Sequence, residues 1–158
     1  MVYNTPVMKV LAKNRRAFHD YDITDRFEAG IALTGAEVKA AKSGLASIKE
    51  AYVKYIDGSM WLWNASIQRY QHAEYLDSYD PNRNRRLLLH KREIKKIARL
   101  LDQSRLTAVP LKLFEVRGLI KVEIGVGKGL RKYDKQKRLK KRDEQRSLQE
   151  ERKRLGIV

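Results

Sequence analysis

"AYVKYIDGSMWLWNASI", Ala51 to Ile67, sets two runs of alternating side chains on either side of Asp57-Gly58. Val53 and Tyr55 share one strand face before the pair, and Met60 and Leu62 share one after it. That period of two is the signature of a half-buried strand. Asp-Gly is favoured in the two-residue type I′ turn, whose twist matches that of antiparallel strands. The stretch predicts a β-hairpin.

Working outward, "VPLKLFEVRGLIKVEIGV" (109–126) reads as a second hairpin. Leu111 and Leu113 alternate on its first arm, and Ile120, Val122, Ile124 and Val126 on its second. Between the hairpins, "LLLHKREIKKIARLLDQ" (87–103) spaces Ile94, Ile97, Leu100 and Leu101 helically, with cations opposite, predicting an amphipathic helix that closes one end of a sheet. In "TGAEVKAAKSG" (34–44), Thr34 is a candidate N-cap, Glu37 completes a capping box and Gly44 is a natural stop. "HDYDITDRFEAGIAL" (19–33) alternates at Tyr21, Ile23, Ile31 and Leu33, with a bulge or bend expected near Gly30 and with Asp20 and Asp22 on one solvated face.

Five or six strands with intervening helices, and no repeating βαβ unit, predict a mainly β fold. The expected form is a small OB-like antiparallel Greek-key barrel with about three helices. Its organisation reads as a flexible arm over 1–12, the barrel over 13–126 and a basic tail over 127–158.

With 35 Lys and Arg against 19 Asp and Glu, the 158-residue chain carries a net charge of +16. Such an excess points to a polyanionic partner, nucleic acid foremost, because neutralising phosphates releases counterions. No apolar run approaches the ~18 residues of a membrane span, and the opening residues lack the apolar core of a signal peptide. A cytoplasmic monomer is expected. The chain has no cysteine, and His19, His72 and His90 lack metal-ligand spacing. There is no Walker A loop, and the GxGxG run at Gly125, Gly127 and Gly129 precedes no apolar helix. Neither an enzyme nor a cofactor is expected.

Three stretches are candidates for RNA contact. "KNRRAFHDY" (13–21) interleaves Arg15 and Arg16 with the rings of His19 and Tyr21, as RNA-binding surfaces do, although the same residues also suit a solvated first strand. "DPNRNRRLLLHKRE" (80–93) follows a turn with Arg83, Arg85 and Arg86, whose guanidinium forks fit phosphate oxygens. The three leucines after them pattern as core. The third stretch is the tail. Residues 126–158 hold thirteen Lys and Arg against five acids, and Leu139, Leu148 and Leu155 are too widely spaced for an apolar stripe. Alone in water such a helix is marginal, whereas a groove lined by phosphate would let it fold on binding.

Five of these stretches together resemble the small protein B (SsrA-binding protein) family of bacterial trans-translation. They are "NRRAFHDY" (14–21), "FEAGIAL" (27–33), "GAEVKAAKSG" (35–44), "DPNRNRRLLLHKREI" (80–94) and "KGLRKYDK" (128–135), in family order and spacing. The resemblance implies an OB-like barrel that binds the tRNA-like domain of transfer-messenger RNA and delivers it to stalled ribosomes. Elongation factor Tu and alanyl-tRNA synthetase would be met only through that RNA. It implies RNA binding at Asn14, Glu28 and Leu88, with Lys128 in the last motif, and places His19 near the decoding centre of the small subunit. Leu88 would then be more than a core residue, either touching the RNA or shaping the surface that does. The tail would be loose when free and helical in the vacant messenger channel, with Tyr133, Asp134, Lys135, Lys137, Arg138, Lys140, Lys141 and Arg142 facing small-subunit RNA. Two departures stand out: Gln136 replaces the family's Arg after Asp-Lys, with Lys137 and Arg138 next in line, and Leu130 replaces a Lys. A structural ribosomal protein and an RNA-cleaving enzyme are the competing classes. The first would co-sediment with all ribosomes, and the second needs an acid–base pair that the chain does not display.

Overall fold

Asp57 and Gly58 sit at φ 48° and 80°, the left-handed geometry of a type I′ turn. They join β4 (Tyr52–Ile56) to β5 (Ser59–Trp63), paired from Tyr52↔Trp63 to Ile56↔Ser59. The computed structural model describes residues 7–70, 79–103, 105–130 and 132–156, with the backbone alone for 132–135. The remaining elements are β1 (Lys9–Lys13), α1 (Arg15–Asp20), β2 (Tyr21–Ile31), α2 (Gly35–Lys42), β3 (Ala46–Ser47), β6 (Ser66–Ile67), β7 (Arg85–Leu88), α3 (Lys91–Gln103), β8 (Thr107–Val116), β9 (Leu119–Gly129) and α4 (Lys132–Arg154).

Hydrogen bonding runs β4–β5–β7–β2–β9–β8, and β8 returns to β4 at Val53↔Ala108. The ring is therefore closed, every pairing in it is antiparallel, and β3 and β6 form a separate small ribbon. This is a mixed fold dominated by an antiparallel OB-like sheet. Closure leaves no open edge around the ring, which removes a template for aggregation. Val53, Met60, Leu62, Leu87, Leu113, Val122, Ile124 and Val126 fill the interior. Ile97, fully buried, drives α3 onto that core, with Ile94, Leu100 and Leu101 packed beside it and Lys95, Lys96 and Arg99 outside. In α2 the Thr34–Glu37 capping box forms, and Gly44 follows at φ 84°.

Several expectations are corrected. The arm does not extend to residue 12: Lys9–Lys13 pairs with β8, filling the part of its edge that β4 leaves open. The stretch 15–20 is a helix, not the start of a strand, because Ala17 and Phe18 pack on Val109 and Leu111. Asp20 therefore ends a helix while Asp22 lies in β2, so the two do not share a strand face. The irregularity in β2 falls between Ile23 and Asp25, not at Gly30. A second register shift, between Pro110 and Lys112, turns Leu111 towards α1 while Leu113 stays in the barrel. Finally, β9 runs to Gly129, so the barrel extends past residue 126 into the stretch assigned to the tail.

The bulge in β2 explains Gly127. A Cβ there would lie 2.2 Å from the Asp22 carbonyl oxygen and 2.9 Å from the Ile23 Cα. Backbone atoms cannot rotate away, so Gly127→Ala forces the two strands apart. We expect a loss of about 1–3 kcal/mol or more in urea unfolding. Gly129→Ala, whose nearest neighbour would be the Tyr21 ring at 3.9 Å, serves as the control and leaves the midpoint nearly unchanged.

Candidate nucleic-acid interface

Strand parity sorts the arginine–leucine run. In β7, Arg85 and Leu87 point inward, and Arg86 and Leu88 point outward. Leu87 enters the core at 2% exposure, whereas Leu88 is 53% exposed. Leu88 pairs with Gly30 of β2, and a Cβ on Gly30 would come within 3.3 Å of the Leu88 Cβ. The missing side chain at Gly30 is what lets leucine lie flat on the surface there. Leu88, Leu89, His90, Glu93, Glu28 and Lys121 line an open recess of about 550 Å³.

Glu28 reaches the same recess from β2, and its Oε1 accepts a 2.7 Å hydrogen bond from Lys121 Nζ. The lysine lies on β9 opposite Gly30 and pairs diagonally with Glu28. Both side chains are partly exposed, so the pair adds little stability. Its effect is local: the carboxylate keeps acceptor capacity and sits beside a cation that offsets its repulsion of phosphate. Lys121 was not legible as a site residue, since nothing in the sequence signals that it faces Glu28 until the β2–β9 register is known.

The Arg15–Tyr21 cluster lies elsewhere, around α1. Arg15 and Arg16 are exposed, and Arg16 Nε bonds Asp20 Oδ2 at 3.2 Å. His19 is part-exposed, with Nδ1 3.0 Å from Asp20 Oδ1. Asn14 stands at the N-cap position of α1. It is 4% exposed and acts as a peg, its Nδ2 donating to the Pro110 carbonyl at 3.0 Å and its backbone N–H to the Leu111 carbonyl at 2.9 Å. Among the described residues its Oδ1 is buried without a partner. The side chain lines a recess of about 290 Å³ with Arg16, Tyr21, Lys49 and Tyr52. Lys128 is exposed on β9, opposite Asp22.

Arg85 cannot act as expected. It is fully buried, with Nε on Glu37 Oε2 at 2.6 Å, Nη1 on the Ala65 and Arg83 carbonyls and Nη2 on the Pro81 carbonyl. Its donors bind the loop ahead of β7 to α2, and none faces solvent. Arg83 grips the same carboxylate through Nε at 3.1 Å and through Nη2, which also donates to the Ala32 carbonyl, yet remains partly exposed. Burial pushes the Glu37 carboxyl up, but hydrogen bonds from Arg83, the Thr34 N–H and Arg85, with the Arg85 charge, outweigh it and hold it below the usual glutamate range. Only Arg86 of the three is exposed and, among the described residues, has a side chain without an ion pair or hydrogen bond.

The tail forms α4, whose described residues are exposed apart from Arg138. Arg138 Nη2 bonds Asp22 Oδ1 at 2.9 Å, and Nη1 reaches the Phe18 and Tyr21 carbonyls at 3.4 Å. Lys137, Lys140, Lys141 and Arg142 are exposed. The side chains of Tyr133, Asp134 and Lys135, like the whole of His72, lie outside the described residues. Among the described residues no group of three His, Cys, Asp or Glu could hold a metal ion, and no helix is long and apolar enough to cross a membrane.

A family model described as "SmpB protein" matches residues 11–154. The chain belongs to the SmpB family. The SsrA-binding protein of Coprothermobacter proteolyticus is 49% identical over 145 residues, 91% of this chain and 97% of that protein. The SsrA-binding protein of Synechococcus sp. strain JA-2-3B'a(2-13) is 45% identical over 146 residues, covering 92% and 95% of the two chains. A solved structure described as "tmRNA-SmpB: a journey to the center of the bacterial ribosome" is similar with a TM-score of 0.62. It is 40% identical, over 78% of this chain and 90% of that one. Within this chain four of the five motif stretches divide three ways: "FEAGIAL" and "RRLLLH" meet at the Glu28–Leu88 recess, "NRRAFHDY" builds α1, and "GAEVKAAKSG" supplies the internal carboxylate.

Proposed function

We propose that this chain is a non-catalytic RNA adaptor that binds transfer-messenger RNA and brings it to stalled ribosomes for trans-translation. The observation that carries the reading is the exposure of Leu88 beside Glu28. An apolar side chain laid open next to a carboxylate with spare acceptors can contact a sugar or base while the acid accepts a hydrogen bond from a base edge. The tRNA-like domain of that RNA occupies the Glu28–Leu88 recess, with Arg86 and the cations around α1 on the neighbouring phosphates. Arg83 contributes from its exposed edge, and Arg85 acts only by holding the fold.

The tail carries the second half of the function. Its helix spans roughly 35 Å at 1.5 Å per residue and presents Lys137, Lys140, Lys141 and Arg142 to small-subunit RNA in the messenger channel. Tyr133, Asp134 and Lys135 lie at its start. A channel still holding messenger excludes it, so the tail tests for vacancy, and His19 faces the decoding centre. Elongation factor Tu and alanyl-tRNA synthetase act on the shared RNA without touching this chain.

The test is binding to the tRNA-like domain across a salt series, with an ordinary tRNA as competitor. Preference for the first RNA should persist at high salt, and Glu28→Ala and Leu88→Ala should each weaken it by about tenfold, near 1.4 kcal/mol. Both side chains are exposed enough for the unfolding free energy to stay within about 0.5 kcal/mol of the parent. Equal affinity for both RNAs, collapsing together as salt rises, would leave phosphate neutralisation alone and sink the reading.

A further inference from the structure

Beyond Arg86 and Leu88, which the reading above already uses, the outer faces of β4, β5 and β7 carry a constellation of rings and cations. The inward residues Val53, Met60, Leu62 and Leu87 are core, so the alternate positions point out. In register these form two rows: Tyr52 opposite Trp63, and Lys54 opposite Trp61, which is in turn opposite Arg86. Trp61 thus lies between two exposed cations on the flanking strands. In the other row the Tyr52 and Trp63 rings stack at 6.4 Å and 28°, and Lys54 Nζ stands 4.2 Å from the Trp63 centroid. Beside them a recess of about 270 Å³ is lined by Ile56, Asp57, Ser59, Trp61, Trp63 and Asn84. Both tryptophans are half-buried.

We propose that this face is a second RNA-binding surface, on which Trp61 and Trp63 stack unpaired bases while Lys54 and Arg86 neutralise the adjoining phosphates. The proposal extends the RNA-binding reading above and rests on it for the class of partner. Flat rings alternating with cations suit a single strand, whose bases offer π-faces and whose phosphates follow at every step. A duplex hides those faces. Charge also favours RNA over an apolar protein patch, since Lys54 and Arg86 would be desolvated without a counter-charge. The surface is continuous with the Glu28–Leu88 recess, because Arg86 and Leu88 are alternate outward residues of one strand, about 7 Å apart. A single strand leaving the recess would cross Arg86 onto Trp61.

The chain has two tryptophans, so its indole emission reports on this face alone. Full-length protein is titrated with oligo(A) of about ten nucleotides, within the ~4–16-nucleotide site of OB-type folds, and with a blunt RNA duplex of equal length. Saturable quenching by the single strand and not by the duplex is expected. Trp61→Ala should weaken the single strand roughly 5- to 150-fold, the range for loss of one stacked base, and Trp61→Phe should restore most of the affinity. Arg86→Gln should reduce the salt slope by about 0.7. Equal quenching by both RNAs, or Trp61→Ala binding like the parent, overturns the proposal. Affinity for the tRNA-like domain, measured in parallel, separates the two readings. If preference for that domain fails while selective quenching persists, the adaptor reading falls and the stacking surface stands. If the preference holds without quenching, the stacking surface falls.

Discussion

Glu37→Ala is expected to lower the unfolding free energy by about 3–5 kcal/mol, the range for breaking one side of a buried ion pair. Of the changes proposed here it has the largest effect on stability. Glu37 is 1% exposed and Arg85 is fully buried, so the guanidinium would be left charged and enclosed with three carbonyls as its remaining company. The same change removes the reciprocal half of the α2 capping box and Arg83's principal acceptor. Thermal or urea unfolding measures it, and a shift below about 0.5 kcal/mol would show that the pair is not a structural element. Replacing Glu37 and Arg85 together by Met should recover much of the loss, since apolar residues of similar volume can substitute for a buried pair.

The same carboxylate sets a pH dependence. Its folded pKa is depressed, so its contribution to stability is fully present above the ordinary glutamate range and is lost as pH falls through the depressed value. Stability of the parent chain should therefore decline in acid more steeply than that of Glu37→Gln, which has no charge there to lose. Parallel slopes for the two chains between neutral and strongly acid pH would refute the assignment.

A chain ending at Lys132 should bind the tRNA-like domain within about threefold of the full chain at physiological salt, yet lose ribosome rescue altogether. Beyond that point the described side chains hydrogen-bond to the barrel through Arg138 alone, on α1 and the start of β2 and away from the Glu28–Leu88 recess. Screening over about 8 Å further limits what distant tail cations add to RNA affinity. Tagging of a truncated messenger in a reconstituted translation system reads the loss. Should truncation destroy RNA affinity and tagging together, the division of labour between barrel and tail is wrong. The contact itself also bears on tail release, because Arg138 ties α4 to α1 and the start of β2. In this conformation it is engaged with Asp22, so Asp22→Ala should raise the rate of proteolytic cleavage within α4 without changing barrel stability beyond about 1 kcal/mol, the most an exposed pair supplies.

The features legible in the sequence are those decided by near neighbours. Asp57-Gly58 prefers the left-handed turn whatever surrounds it, Thr34 and Glu37 cap a helix three residues apart, and the Ile94–Leu101 spacing needs only one helix surface to be meaningful. The positive charge and its concentration in the tail are also properties of the chain alone. Tertiary structure decided the rest, through register. Arg85 and Arg86 are adjacent in sequence, but strand parity buries one and exposes the other. The burial is possible because α2 brings a carboxylate from 48 residues away. Leu111 and Leu113 share a rhythm that the bulge between Pro110 and Lys112 breaks, and that displacement creates the surface on which α1 folds. Leu88 is open because its cross-strand neighbour is Gly30, and Glu28 has Lys121 beside it because β2 pairs with β9. A period-2 pattern records that two faces alternate. Which face is inside depends on pairings made between distant segments, and a single inserted residue reverses it.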